Sequence, residues 1–183
     1  MARRGVTLVI LCEDLQQEVF ARKYFMTRFD LGYRDIRVNR NEKGKGSGEY
    51  HVREQYPNEV KTYRSKSPYL SSIRLAVFID TDNNAVEQRL KEMDSMLLND
   101  GQERRQRNEK IAVFTPKRNI ETWIHYLMGE TINEQTSYQK FTNNEGACKP
   151  YVERLASEIC PVGLPADAPP SLHVACDELQ RLL

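Results

Sequence analysis

A run of apolar residues, 75–79, is followed at once by two acidic residues, Asp80 and Asp82, with a single threonine between them. A run of this length is too short for a buried helix and indicates a strand in the middle of a sheet. In α/β sheets, ligands bind outside the carboxyl ends of the strands, which is where these acids would lie. Because alternate residues of an extended chain point to the same side, the two carboxylates suit Mg²⁺ or Mn²⁺. The alternative is that they cap a helix starting at Asn83 or Asn84.

A second, mostly apolar run ends in the same way, because residues 6–12 are followed by Glu13 and Asp14. Residues 15–29 then have the spacing of a helix with one buried face. Two strands would therefore bring acids to the same edge of a sheet. So much negative charge in one place usually has a counter-ion, which favours a ligand role for Glu13. Alternatively, Glu13 is a helix-start residue favoured by the helix dipole.

Segments with strand patterns alternate with segments of helical period along the chain. The predicted strands cover residues 6–12, 36–39, 74–80 and 111–115. Helices are predicted over residues 15–29, 84–98 and 50–64, and Pro57 is expected to kink the last of these or to mark its start. The alternation predicts an α/β fold with a mainly parallel four-stranded sheet flanked by helices.

The fourth predicted strand leads into a short amphipathic helix within residues 116–129. Glu121 would add a third acid to the rim, and Lys117 and Arg118 precede it in the loop that faces the same rim. His125 lies four residues after Glu121, so the two share one side of the helix. The alternatives are a first-turn glutamate that interacts with the helix dipole and an ordinary, partly buried histidine.

The composition fits one domain, since 39% of the 183 residues are hydrophobic. No stretch approaches the roughly 18 apolar residues of a membrane span, and the N-terminus lacks the pattern of a signal peptide, so we expect a cytoplasmic protein that does not bind membranes. The cysteines are widely spaced and form no CxxC pair, which indicates reduced core thiols: Cys12, Cys148, Cys160 and Cys176.

Charge is unevenly distributed although the net charge is only +1. Basic residues outnumber acidic ones over residues 34–66 and are interleaved with tyrosines, a mixture able to contact phosphates and stack on bases. Within this region, residues 43–48 form a glycine-rich basic loop without the spacing of a P-loop, which we expect to be flexible and to lie over the substrate. A solvated helix face and loop is the alternative. Residues 100–110 are polar throughout and are expected to be exposed.

These acid-ending strands, in this order, resemble the TOPRIM fold that topoisomerases, primases and the OLD and RloB-like nucleases share. The resemblance covers residues 6–129 and departs from the family pattern at Asp14, where a glycine is usual, and at Gln17, where an acid is common. It implies a TOPRIM-like domain over residues 1–129 and leaves residues 130–183 as a small helical C-terminal extension packed on it. Small TOPRIM-like proteins of bacterial anti-phage defence have a similar motif to the one at Pro116, Ile120, Glu121 and Trp123.

The resemblance implies a Mg²⁺- or Mn²⁺-dependent nuclease that hydrolyses phosphodiester bonds. Glu13 would act as acid/base or metal ligand, and Asp80 and Asp82 would be metal ligands. Glu121 would be a supporting acid, and Lys117 or Arg118 would neutralise charge on the phosphate.

Two other classes stay open. One is a catalytically silent TOPRIM-like subunit that binds nucleic acid or a partner ATPase of a defence system. The other is a phosphatase of the haloacid dehalogenase type, which also places Asp-x-Asp after a strand. In that class the motif usually follows the first strand, whereas here it follows the third predicted strand.

Overall fold

The computed structural model describes residues 5–183, which form four strands and a series of helices. The strands are β1 Leu8–Cys12, β2 Ile36–Arg40, β3 Arg74–Phe78 and β4 Ile111–Phe114. The helices are α1 Leu15–Phe29, α2 Gly48–Lys66, α3 Val86–Asn99, α4 Ile120–Leu127, α5 Lys149–Arg154, α6 Cys160–Val162 and α7 Pro170–Leu179. A π-helical turn over Leu155–Ile159 joins α5 to α6, and 3-10 turns cover Tyr33–Asp35, Glu145–Cys148 and Gln180–Leu182.

The four strands form one sheet in the order β2-β1-β3-β4, and every pairing is parallel. Leu8 of β1 lies opposite Ile36 of β2 and Arg74 of β3, and Phe78 of β3 lies opposite Phe114 of β4. This confirms the predicted α/β class and the four-stranded sheet flanked by helices. The predicted strand ends differ from the observed ones by no more than two residues.

Two apolar layers cover the two faces of the sheet. Leu8, Ile10 and Cys12 of β1 point into a layer formed by α1, α4 and the C-terminal helices. Val9 and Leu11 point into the opposite layer, where α2 and α3 pack. Because both faces are covered, the central strands are apolar at every position except Arg74 at the start of β3, which is why they were visible in the sequence as continuous runs.

Helix α2 runs through Pro57 instead of beginning there. The Ser47 side chain caps its start by accepting a hydrogen bond from the Tyr50 N–H at 3.3 Å. The carbonyl of Pro57 accepts a hydrogen bond from Gln102 Nε2 at 2.8 Å. The prediction that Pro57 could mark the helix start is therefore wrong, because the cap at Ser47 fixes it.

The polar stretch 100–110 is not uniformly exposed. The side chain of Arg105 is only 5% exposed, and its Nη1 lies 2.6 Å from Glu178 Oε2 in α7. The same carboxylate oxygen accepts the Val113 N–H of β4 at 2.8 Å. A charged residue predicted to be solvated is thus buried, because a partner distant in sequence neutralises it.

The C-terminal residues contribute to the same apolar layer as α1. Their buried side chains include Leu155, Leu172, Leu179 and Leu182. Helix α5 packs against α1, and α7 packs against β4. Within residues 5–183, none of the helices combines the length and the apolar character needed to cross a membrane.

Candidate active site

The chain reverses its direction across the sheet between the two central strands. After β1 it passes through α1 to β2 at one edge, and after β3 it passes through α3 to β4 at the other edge. Such a switch point leaves a crevice outside the carboxyl ends of the two strands, where α/β proteins bind ligands. Glu13 directly follows Cys12 of β1, and Asp80 lies two residues after Phe78 of β3. Both predicted acids therefore lie at the crevice.

Hydrogen bonds hold Glu13 and Asp80 together. The Asp80 N–H donates to Glu13 Oε1 at 2.6 Å. Gln17, which is fully buried in the first turn of α1, joins the two acids a second time. Its Oε1 accepts the Glu13 N–H at 2.9 Å, and its Nε2 donates to Asp80 Oδ1 at 2.9 Å. Within the described part of the chain, each acid keeps one carboxylate oxygen without a hydrogen bond to protein.

Two more acids lie beside this pair. Asp14 caps α1, since its Oδ1 accepts the Gln17 N–H at 2.9 Å. Glu121 sits in the first turn of α4 and is only 3% exposed. The structure therefore brings Glu13, Asp80 and Glu121 together, with Asp14 beside them, at the edge where the sequence predicted the acids.

Burial raises the pKa of three acids in this group: Glu13, Asp80 and Glu121. For Glu13, burial is the main cause, and nearby negative charges add to it, so that the pKa rises to about 8. Burial and the charges of Glu13, Asp14 and Glu121 raise the pKa of Asp80 well above its usual range. Burial also raises the pKa of Glu121. The site thus disfavours full ionisation of its acids, which a bound cation would restore.

Asp82 has different surroundings from Asp80. Its backbone is in the left-handed region, with φ of 50°, and its side chain is 65% exposed. Its Oδ2 lies 4.0 Å from Nη2 of Arg89, a residue of α3 whose side chain is almost wholly buried. Arg89 also binds Glu49 at the start of α2, with 2.7 Å between Nη1 and Oε1. Asp80 is thus buried and Asp82 exposed, because the chain turns over residues 81–84, where the Asn84 N–H donates to the Thr81 carbonyl oxygen at 2.9 Å.

The two basic residues predicted to lie at the rim, Lys117 and Arg118, form hydrogen bonds with neighbouring loop residues. Lys117 Nζ donates to the Asn84 carbonyl, and its N–H donates to Ser171 Oγ at 3.3 Å. Arg118 binds the Asn83 side chain and Ser137 Oγ. Both contacts organise the loops around the strand ends.

His125 contacts the segment that follows α4, over residues 130–141, and holds it against the helix. Its Nδ1 lies 2.9 Å from Glu130 Oε1, and its Nε2 lies 2.9 Å from the Gln139 carbonyl oxygen. The ring also packs against Tyr138 and Phe141. These contacts support the reading of His125 as a partly buried structural residue.

A cleft of about 600 Å³ opens beside the acids. Glu13, Asp14 and Glu121 line it, whereas Asp80 and Asp82 are not among its lining residues. The loop between β2 and α2 forms one wall, and residues 140–145 form the other. The basic side chains that line the cleft come from these two walls: Arg40, Lys43 and Lys140.

The glycine-rich loop reaches the first acid through Gly48. A Cβ at this position would lie 2.7 Å from Glu13 Cβ and 2.8 Å from the Glu13 carbonyl oxygen. Only glycine allows the start of α2 to come so close to the end of β1. The loop thus covers Glu13, in keeping with the prediction that it lies over the site.

The donor groups fit a hard divalent cation, although within residues 5–183 no three His, Cys, Asp or Glu side chains are already arranged to hold one. Mg²⁺ and Mn²⁺ prefer carboxylate oxygens, and Glu13 and Asp80 offer a pair fixed by Gln17. The charges that act most strongly on Asp80 are all negative. Buried negative charge without a basic neighbour is the environment in which a cation is stabilising.

Sequence reasoning missed the residues that organise the acids. Gln17 was noted only as a departure from a family pattern. A glutamine in the first turn of a helix does not by itself indicate a hydrogen bond to a residue as distant in sequence as Asp80. Arg89 lies on the apolar side of a predicted amphipathic helix, where a lone arginine is a usable signal of a buried ion pair. Lys140 lies in a polar segment with no pattern that distinguishes it.

Comparison of the chain with models of protein families, with curated proteins and with solved structures finds no match.

Proposed function

We propose that this protein is a divalent-metal-dependent nuclease that hydrolyses phosphodiester bonds of DNA or RNA. One observation carries the proposal: Glu13, Asp80 and Glu121 gather, largely buried, at the switch point of a parallel sheet, beside a cleft whose two walls carry Lys43 and Lys140. Burying several acids together costs free energy unless a cation balances them. The walls also carry Glu42 and Glu145, so contacts to the phosphates of a polyanion would rest on these individual lysines.

Each residue has a role that follows from its place. A bound Mg²⁺ or Mn²⁺ would polarise the phosphate and activate a water. Glu13 and Asp80 would hold the ion, with Gln17 fixing their relative position, and Asp82 would approach from the exposed rim. Glu121 would support them from the cleft side.

Lys43 and Lys140 suit the phosphate contacts better than Lys117. Both line the cleft, one on each wall, whereas the Lys117 ammonium group is bound to the carbonyl of Asn84. Positive groups placed around a phosphate stabilise the charge that develops in its transition state.

The TOPRIM-like assignment and the role in bacterial anti-phage defence are part of the same proposal. They are supported by the resemblance of the two acid-ending strands and of the motif over residues 116–123. The all-parallel sheet with the acids at its centre is compatible with that resemblance.

A catalytically silent subunit that binds nucleic acid or a partner ATPase is the second candidate. It is favoured by the hydrogen bonds within the acid pair, because Gln17 and the Asp80 N–H occupy one oxygen of each carboxylate. Asp82 in addition faces Arg89. An acid pair satisfied in this way can persist without a metal.

The test is cleavage of supercoiled plasmid, single-stranded DNA and RNA in Mg²⁺ or Mn²⁺, with a chelator control. Asp80→Asn is the matched variant, because asparagine keeps the oxygen that accepts the Gln17 hydrogen bond. Asp177→Asn, in an exposed part of α7, controls for loss of an acid elsewhere.

The nuclease predicts cleavage that the chelator and Asp80→Asn abolish and Asp177→Asn leaves intact. Folded protein that binds these nucleic acids without cutting them supports the silent subunit. Folded protein that neither cuts nor binds them contradicts the nuclease.

A further inference from the structure

Two of the four cysteines are neighbours in the fold. Cys160 begins α6 and Cys176 lies in α7, and their Sγ atoms are 3.5 Å apart. Both residues are half-buried, unlike Cys12 and Cys148. They sit where α6 and α7 meet the aromatic side of α1, close to Tyr24. All four cysteines are free, as expected, but only Cys12 and Cys148 are buried, whereas Cys160 and Cys176 are partly exposed.

The other two cysteines are buried and serve as an internal contrast. Cys12 is completely buried, and Cys148 is 1% exposed. Burial is the main cause that raises the pKa of both thiols, to about 11 for Cys148. Neither thiol forms the reactive thiolate readily.

The surroundings of Cys160 favour its thiolate. A hydrogen bond from the Cys176 thiol is the main cause that lowers the Cys160 pKa to about 7, and the charge of Arg28 acts in the same direction. The pKa of Cys176 is correspondingly raised. Either sulfur of the pair can donate this hydrogen bond, so one thiol can attack while its neighbour resolves, and the charge of Arg28 favours attack by Cys160.

We propose that Cys160 and Cys176 are a site of reversible disulfide formation, with a small-molecule disulfide such as oxidised glutathione as the oxidant. The Cys160 thiolate attacks one sulfur of the oxidant, forms a mixed disulfide and releases one glutathione thiolate. Cys176 loses its proton to solvent and attacks Cys160 Sγ, which forms the protein disulfide and releases the second glutathione thiolate. The protein loses two electrons and two protons, and the oxidant is reduced to two thiols.

The bond requires little movement and constrains the chain. The sulfur atoms have to approach from 3.5 Å to about 2 Å, a change of about 1.5 Å. The bridge closes the loop between α6 and α7 and ties the C-terminal helix to the helical segment that packs on α1. A closed loop restricts the unfolded chain, so oxidation should stabilise the fold.

The test is incubation of the intact protein with millimolar oxidised glutathione, followed by mass spectrometry and non-reducing peptide mapping. We expect a mass loss of two hydrogen atoms, one bridge between Cys160 and Cys176, free Cys12 and Cys148, and reversal by a dithiol. The oxidised protein should also melt several degrees higher than the reduced one.

Serine variants separate the two roles. Cys176→Ser should accumulate one glutathione on Cys160, because no thiol is available to resolve it. Cys160→Ser should react more slowly than wild type. An unchanged thiol count in the wild-type protein, a lasting glutathione adduct on it, or a bridge that includes Cys12 or Cys148 would overturn the proposal.

Discussion

Replacing Glu13 by glutamine is expected to stabilise the fold at neutral pH. Burial raises the pKa of this acid to about 8, so the folded protein favours its neutral form. Glutamine has the size of the neutral acid, and its amide oxygen can accept the Asp80 N–H that Glu13 Oε1 accepts now. The substitution therefore removes the free-energy cost of neutralising this acid on folding and keeps the hydrogen bond.

The magnitude follows from the difference between the folded and unfolded pKa of Glu13. A raised folded pKa gives stability that is fully present below the ordinary value of 4.5 and is lost as the pH rises through about 8. At pH 7 the uptake of the proton that keeps Glu13 neutral in the folded state costs up to roughly 3 kcal/mol, and at pH 5 this uptake costs under about 1 kcal/mol. The increase in the free energy of unfolding that Glu13→Gln brings should therefore be larger at pH 7 than at pH 5 by the difference between these two costs.

Urea unfolding of both proteins at pH 5 and pH 7, in a chelator, measures the effect. Trp123, the only tryptophan, is buried and reports unfolding by fluorescence. Glu54→Gln, on the exposed side of α2, is the matched control and should show no pH-dependent gain. A gain for Glu13→Gln that is equal at the two pH values, or no gain at pH 7, would refute the argument that buried charge is the cause.

Three further outcomes are expected. Mg²⁺ or Mn²⁺ should raise the thermal unfolding midpoint of the wild type and not that of Asp80→Asn, and equal shifts in differential scanning fluorimetry would contradict a site at this acid. Gly48→Ala should lower the free energy of unfolding in urea by about 1–3 kcal/mol, because the added Cβ would collide with the Glu13 backbone. An unchanged free energy of unfolding would show that the start of α2 can shift away from Glu13 without cost. Arg105→Ala should cost about 3 kcal/mol, because it removes the shorter of the two ion pairs of the largely buried Glu178 and leaves only Arg181, at 3.5 Å; a loss under about 0.5 kcal/mol would show that Arg181 and solvent compensate Glu178.

Hydrophobic continuity made the sheet predictable. The central strands are buried on both faces, so their apolar runs stand out, and the predicted strand positions agree closely with the observed ones. Helix α2 was harder to predict, because the propensity of Pro57 to break a helix is outweighed by the Ser47 cap and by packing of Val52, Tyr56 and Val60 against the sheet. Tertiary contacts decide such cases, and local sequence does not contain them.

The candidate site was predictable only in part, for the same reason. Acids at strand ends could be placed at one edge because parallel strands share an orientation. The turn that separates Asp82 from Asp80 depends on a bridge between Asp82 and Arg118, which lie far apart in sequence. Gln17 and Arg89 act through partners that are likewise distant in sequence.

The contacts of Arg105 and Glu178 have a consequence for the behaviour of the protein at high concentration. Strand β4 ends the sheet, and a bare outer strand offers its backbone groups to another chain. The Val113 N–H, which points away from the sheet, donates to Glu178 Oε2, and Arg105 Nη1 lies 3.4 Å from the Ile111 carbonyl oxygen. Helix α7 therefore shields this side of the sheet from intermolecular strand pairing, so a chain shortened before Pro170 should aggregate through β4 as well as lose stability.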